Sequence, residues 1–591
     1  MSSQTPQMRK KWLTILPLIN GLLAVLTLLF DVGFEQGGIL VYILDHLYLL
    51  YLLVIVVSVP FRYILITPKN QKFRVWAMDA VLWCFYVLIF ICRIFIVFKD
   101  QILLHPLELK IWLVPVFTIY LIRELSRFAF WSKNNKINPA FLFVGSFFAL
   151  IMAGTLLLLM PRATHSGIGL TNAIFTSTSA VCVTGLTVVD TGTYFTRFGQ
   201  TIILILIQLG GLGIMTFTSF FVFFFKGGAS YQSIILIGNL TSEGKIARVF
   251  NTLLKILIFT ISFEAAGMVL IYFSLGESAA MFTGNRLFFS VFHAISAFCN
   301  AGFSTLSQSF FDINFRFNYT LHLVIALLFI IGGLGFPVII NLYSYLKHLV
   351  INKMIKPGRK RKPVYLAHII NLNTRIVVLT SLLLTGAGTI AFLLLEYNHT
   401  LSEHHGIGKL AAAFFSAVTP RTAGFNTVNT GNLQFPTLVM VIMLMWIGAS
   451  PASTGGGIKT STFALSALNA LSLIRGRSRV EFFRREIPGS SLNRASAFVI
   501  LSLMVIGLTV FVLLLSDPQK AFSDIVFEVV SAFSTVGLSR GITGDLSVPG
   551  KYMIIVTMFT GRVGTLTLLV AFFRKLKSMK YRYPSEEILI N

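Results

Sequence analysis

Charge is absent from long stretches of this chain. Phe141 to Leu159 and Thr201 to Phe225 are uncharged runs of spanning length, since about 20 helical residues cross a hydrocarbon core of ~30 Å. The first apolar stretch, Trp12 to Phe30, resembles a signal peptide, but it has no small-residue cleavage pattern and more spans follow, so it reads as a membrane helix. Three further candidates lie near 39–59, 75–98 and 111–130. From residue 139 the pattern becomes a unit of full span, half-span ending in glycine, and second full span. Four units place full spans near 140–160 and 199–225, 249–275 and 320–346, 374–396 and 436–472, and 495–515 and 552–573. The expected organisation is an N-terminal bundle of about four helices (1–138), pore repeats at 139–226, 227–347, 348–474 and 475–577, and a tail at 578–591.

Twelve crossings put both termini on one side. The basic segments Lys347 to Arg375 (with Lys356, Arg359, Lys360, Arg361 and Lys362), Arg475 to Arg494 and Arg574 to Arg582, with Arg62, Lys69, Lys72 and Arg74, all fall on that side. An excess of Lys and Arg marks cytoplasmic loops, so both termini are expected to be cytoplasmic. Composition agrees with a membrane chain: 55% hydrophobic, only 12% charged, and a mean hydropathy of +0.81, where a soluble domain carries about 25% charge. The net charge of +26 sits in the loops, so lipid headgroups rather than nucleic acid are its default partner. Cys84, Cys92, Cys182 and Cys299 lie in apolar stretches and read as small buried hydrophobes. The longest polar stretch, Lys347 to Asn371, is about 25 residues, below the ~50 of a domain. No soluble catalytic or regulatory domain is expected, and none of the composition suggests an enzyme.

The half-spans align as Ser179-Ala-Val-Cys-Val-Thr-Gly185-Leu, Ser296-Ala-Phe-Cys-Asn-Ala-Gly302-Phe, Ser416-Ala-Val-Thr-Pro-Arg-Thr-Ala-Gly424-Phe and Ser531-Ala-Phe-Ser-Thr-Val-Gly537-Leu. Their glycines are 117, 122 and 113 residues apart, the period of a folding unit. Each half-span is too short to cross and is followed by a polar segment. Irregular backbone at membrane depth survives only where protein buries it or water reaches it, so four such loops are expected to line a pore. Inward carbonyls replace an ion's hydration shell, glycine permits the backbone geometry this needs, and the negative ends of the short helices face the ion. No acidic ring occurs in the loops, which argues for monovalent rather than divalent cations. The glycines inside full spans (Gly210, Gly211, Gly213, Gly332, Gly333 and Gly335) read instead as close-packing positions.

Val-Thr-Gly-Leu, Cys-Asn-Ala-Gly-Phe, Arg-Thr-Ala-Gly-Phe and Thr-Val-Gly-Leu are the residues by which the chain resembles the Trk/Ktr/HKT superfamily of potassium transporters, over roughly 139–577. The resemblance implies an all-α integral membrane protein with four helix, pore-loop, helix repeats in pseudo-fourfold arrangement, plus extra N-terminal helices. It implies potassium bound at Val183, Thr184 and Gly185, at Asn300, Ala301 and Gly302, at Thr422, Ala423 and Gly424, and at Thr535, Val536 and Gly537. In the family, glycine in all four filters goes with potassium and serine in the first with sodium; here all four are glycine. A sodium-coupled or sodium-permeable symporter of the same fold is the alternative. No organic cofactor is expected on the chain.

Three glycines and a proline in Gly448-Ala-Ser-Pro-Ala-Ser-Thr-Gly455-Gly-Gly-Ile-Lys459 cannot continue a helix cheaply, so the second span of the third unit should unwind in mid-membrane. The resemblance makes this an intramembrane gate, at Gly455, Gly456, Gly457 and Lys459, with Arg562 beside it as a positive barrier. Glu264 and Glu528 are expected to orient pore helices or else to attract cations. His293 is expected to orient the second pore helix. Arg123 and Arg127, with Asp79 and Arg93, are too few for a voltage sensor and read as bundle contacts. Gly448-Ala-Ser450-Pro could suggest an intramembrane serine protease, but His293 and His322 are the only internal partners for Ser450 and four pore loops would go unexplained. The resemblance further implies a homodimer, a cytosolic nucleotide-binding RCK/KTN ring on the basic inner face, and a bacterial-type cell (inner) membrane.

Overall fold

The computed structural model describes residues 5–65, 73–98, 112–121, 123–124, 139–212, 249–276, 284–354, 370–477, 479–565 and 568–569. Helices α1 (Thr5–Gly33), α2 (Gly38–Leu65), α3 (Phe73–Phe98) and α4 (Trp112–Leu121) make the N-terminal bundle. Its core is aromatic, with Tyr48, Tyr86, Phe117 and Tyr120 fully buried. Several polar groups inside it are paired: the Tyr48 hydroxyl donates to Asp31 at 3.0 Å, Arg93 pairs with Asp45, and Arg123 lies 2.7 Å from Asp79. A guanidinium at membrane depth requires such a partner. Both arginines therefore tie helices together; Arg127 lies outside the described residues.

The four repeats follow in order. The first is α5 (Pro139–Leu158), pore helix α6 (Leu170–Val181) and inner helix α7 (Arg197–Gly211). The second is α8 (Val249–Ser274), pore helix α9 (Arg286–Phe298) and α10 (Tyr319–Leu334), continued by α11 (Phe336–Met354). The third is α12 (Leu372–Glu396), pore helix α13 (Ile407–Val418) and α14 (Phe435–Trp446), continued beyond an unwound loop by α15 (Thr460–Ile474). A two-residue hairpin, β1 (Glu481–Phe482) on β2 (Arg485–Glu486), leads to the fourth: α16 (Gly489–Ser516), pore helix α17 (Phe522–Ser534) and α18 (Val548–Val563).

Sequence sets where the inner helices begin. Thr196, Asn318 and Ser547 each cap one by accepting from the backbone N–H of Gly199, Leu321 and Gly550 at 3.3, 3.1 and 3.2 Å, and α14 has Pro436 in its first turn. Each inner helix then packs on the pore helix of the next repeat: α7 on α9, α10 on α13, α14 on α17, and α18 back on α6. The circle closes. Buried clusters straddle the seams, with Phe310, Phe415 and Phe425 joining repeats two and three, and Met445, Phe527 and Val536 joining three and four.

The inner helices are not the straight spans expected near 320–346 and 552–573. Between α10 and α11 the chain bends by 101° at Gly335, where φ is +81°, and α18 stops before Gly564, where φ is +87°. Glycine takes this backbone without steric penalty, so Gly335 is a break as well as a packing position, where a side chain would strike the Pro451 carbonyl of the third repeat. Gly210, Gly332 and Gly561 do pack closely. A side chain on them would strike the Val181, Phe298 and Phe533 carbonyls at the ends of their own pore helices. Gly213 lies outside the described residues.

Candidate cation pathway

At its carboxyl end each pore helix turns into an extended loop, and one backbone pattern repeats. Val183, Asn300, Thr422 and Thr535 have φ of 54°, 60°, 71° and 50°, and two residues later Gly185, Gly302, Gly424 and Gly537 have 92°, 69°, 78° and 92°. Positive φ at every second residue turns successive carbonyls to the same side of the chain. For Val, Asn and Thr it is strained backbone, held by its surroundings. Those surroundings begin with one serine on the pore helix, through both its carbonyl and its hydroxyl. The N–H of Thr184, Ala301 and Val536 reaches back to the carbonyls of Ser179, Ser296 and Ser531 at 2.8, 2.7 and 2.9 Å. The serine hydroxyls hold the other end: Ser179 and Ser531 accept from Gly185 and Gly537 at 3.1 and 3.2 Å, whereas Ser296 donates to the Phe303 carbonyl at 2.7 Å.

The third loop departs from its sequence alignment. Two extra residues, carrying Pro420 and Arg421, shift the role of Ser416 to Thr419. Thr419 accepts from the Ala423 N–H at 2.9 Å and donates to the Phe425 carbonyl at 2.6 Å, while the Ser416 hydroxyl is buried without a partner among the described residues. Arg421 turns away from the ring to Ser381 (3.0 Å) and Thr385 (3.3 Å) on α12.

The four loops meet in a ring. A side chain on Gly185 would strike the Ala301 carbonyl, on Gly302 the Gly424 backbone beside the Ala423 carbonyl, on Gly424 the Val536 carbonyl, and on Gly537 the Thr184 carbonyl. Each glycine thus makes room for the next repeat's loop, and all twelve residues singled out from the sequence stand together.

Below the ring lies the unwound loop. Ile447 and Ile458 form a parallel bridge across its base, and Ser450 donates its N–H to Gly333 at 3.0 Å. Its tip reaches the lowest loop residues of three repeats. Thr454 donates to the Asn300 side chain at 3.1 Å, the Gly456 N–H donates to the Thr535 hydroxyl at 2.9 Å, and a side chain on Gly455 would strike the Thr422 hydroxyl. Lys459 folds back onto the Gly455 and Gly456 carbonyls at 2.5 and 3.4 Å. Arg562 donates to the Thr454 carbonyl and, at 2.6 Å, to that of Gly210. The five expected gate residues are therefore one assembly across the axis.

The remaining candidates resolve into internal contacts. Glu264 accepts from Gln208 at 3.0 Å and from the Cys299 thiol at 3.7 Å, linking α8 and α7 to the end of the second pore helix. Glu528 accepts from Ser539 at 2.9 Å and from Thr543. Both carboxylates hold loops, and no proximity to a histidine supports the protease reading: Ser450 meets Thr460 at 3.4 Å, and His293 meets Ser304 at 2.9 Å. Lys69, Lys72, Lys356, Arg359, Lys360, Arg361, Lys362 and the segment Arg574 to Arg582 lie outside the described residues.

An all-α chain of apolar spans around re-entrant helices is a multi-pass membrane protein, and the family and relatives it matches are transporters, not enzymes. Residues 115–583 match the TrkH family, described as a cation transport protein, and the chain belongs to that family. The match starts inside α4, upstream of the 139 expected from the motifs. Ktr system potassium uptake protein B of Bacillus subtilis is 37% identical over 452 residues, 76% of this chain and 96% of the relative. Its namesake in Vibrio alginolyticus is 35% identical over 446 residues, 75% and 93%. Potassium/sodium uptake protein NtpJ of Enterococcus hirae is 34% identical over 465 residues, 77% and 98%. The crystal structure of the potassium transporter TrkH from Vibrio parahaemolyticus superposes with a TM-score of 0.55 and 19% identity, over 90% of this chain and 97% of that one, a likeness of fold.

Proposed function

We propose that this chain is the membrane pore subunit of a potassium uptake system, with the four-glycine ring as its selectivity filter and the loop at Gly455, Gly456, Gly457 and Lys459 as its gate. The observation that carries this is the closed ring itself. Carbonyls on one side of four strands, with no side chain between neighbouring strands, form a cage for a dehydrated monovalent cation. Potassium as cargo follows the names of the two Ktr relatives. A second reading, sodium permeation beside potassium, is favoured by the name of the NtpJ relative at 34% identity. The gate reading rests on the loop crossing the axis directly below the ring, with Arg562 setting a positive charge there.

The same reading places the protein in the inner membrane of a bacterial-type cell with both termini cytoplasmic, and divides the chain at 138, 226, 347, 474 and 577. Family resemblance supports a homodimer on a nucleotide-binding RCK/KTN ring at the basic inner face. Purified protein in liposomes tests the core of the proposal: a potassium gradient should drive flux that sodium supports poorly, and Gly185→Ser should lower the potassium-to-sodium permeability ratio about tenfold or more. An unchanged ratio in that variant would remove the filter assignment. Co-purification of an adenine nucleotide-binding partner, with flux that changes on adding ATP or ADP, tests the ring.

A further inference from the structure

The second and fourth repeats share a feature that the first and third lack. His293 stands nine residues before Gly302 and Glu528 nine before Gly537, and Ser304 and Ser539 each follow their glycine by two. In both repeats the pore-helix side chain meets the hydroxyl beyond the glycine, at 2.9 Å in each case. Both side chains are fully buried. The His293 contact is fixed from behind, because Nδ1 lies 2.9 Å from the Phe289 carbonyl, which can only accept. Ser304 in turn accepts from the Leu306 N–H at 3.0 Å. On the other side Glu528 holds Ser539 and Thr543 together, with their hydroxyls 2.8 Å apart, and the Ser539 carbonyl accepts from Thr430 of the third repeat at 2.6 Å.

At the matching place the first repeat has Thr176, whose buried hydroxyl has no partner among the described residues. The third has Phe415 nine residues back, or Ala413 if the two extra residues are counted; neither carries a polar atom. Among the described residues this contact, from the pore helix to the hydroxyl two residues beyond the glycine, is made only in diagonal quarters of the ring, and the packing order places repeats two and four opposite one another.

We infer that His293 and Glu528 are positioning residues for cation discrimination: from equivalent places on opposite pore helices they fix the outer ends of two facing filter strands, although neither touches the ion path. Size selection by carbonyls requires the cage to resist closing onto a smaller ion, and a buried hydrogen bond behind each strand supplies that resistance. This inference rests on the filter reading above.

Removing the hydroxyls tests it with little change of volume. Ser304→Ala and Ser539→Ala should each lower the potassium-to-sodium permeability ratio about three- to tenfold while potassium flux persists, since a lost hydrogen bond is worth about 1 kcal/mol. Glu528→Ala should do the same, Glu528→Gln should restore most of the ratio by keeping an acceptor, and Ser539→Ala should add nothing to Glu528→Ala. Should Glu528→Ala fail to fold, the two serine variants decide alone. Unchanged ratios in both, alongside a lowered ratio in Gly185→Ser, would overturn the braces and leave the filter standing. An unchanged ratio in Gly185→Ser as well would overturn both.

Discussion

Arg562 on the last inner helix donates to the main-chain oxygen of Thr454, so the fourth repeat holds the loop of the third. The same guanidinium reaches Gly210 of the first repeat at 2.6 Å. In register, the other three repeats carry Gly211, Gly333 and Ala449 at this place, the last in the unwound loop just beyond α14.

Arg562→Ala should release the loop and remove the charge below the ring together. Hydrogen bonds to charged groups are worth about 1.5–3 kcal/mol, so potassium flux in liposomes should rise about tenfold. Arg562→Lys, which keeps the charge but not the fork, should fall between. Flux no faster than the parent in a folded Arg562→Ala protein would end the gate reading.

Gly456→Ala tests the same loop from its tip. The added methyl would strike the Thr535 hydroxyl, breaking the 2.9 Å bond that docks the loop below the fourth strand. Higher flux with an unchanged potassium-to-sodium ratio is expected, separating gate from filter. A changed ratio without faster flux would count against that separation.

How much of this could be read from residues alone differs by feature. The ring was legible because Ser-Ala is followed by Gly in all four repeats, six residues on in three of them, and that spacing is what the backbone of those three needs to bring the strand back to its own serine. The unwound loop was legible because three glycines and a proline have no place in a spanning helix. The exchange of Ser416 for Thr419 was not, since an insertion of two residues can be absorbed before or after the hydroxyl and composition does not say which. Nor was the bend at Gly335: a break and a packing contact call for the same residue, and Gly335, which serves as both, shows its break only in φ. His293 and Glu528 looked unrelated because one is a ring and the other a carboxylate, although counting back from each glycine would have paired them.

Arg123→Ala should destabilise the protein without altering the voltage dependence of transport, because Arg123 is engaged with Asp79 inside the N-terminal bundle. Breaking a buried pair costs about 3–5 kcal/mol. Thermal denaturation in detergent should show the loss, and restoration on adding Asp79→Ala would identify the pair. A shifted voltage response would instead revive a sensing role.

Asp517, at the end of α16, receives the Ser547 N–H at 2.7 Å and the Ser547 hydroxyl at 2.8 Å. Burial alone would raise its carboxyl, but hydrogen bonds from Ser516 and Ser547, with Lys520 nearby, outweigh that and hold it below its ordinary value. Titrating lower when folded, it stabilises fully above the usual 3.8 and loses this contribution only as pH falls through the lowered value. Asp517→Ala should cost roughly 1.5–3 kcal/mol at neutral pH and should lose less on acidification than the parent. Parallel acid curves for the two proteins would refute the assignment.

Four covalently joined quarters permit an arithmetic that identical subunits cannot. A pore assembled from four copies of one chain could place a guanidinium beside its axis only four at a time, and four such charges below a cation cage would repel every ion meant to pass. Here the dose is a single arginine, its two contacts reaching separate quarters of the circle. One residue can thus be set against conduction and later withdrawn, because its three counterparts were free to become glycine or alanine.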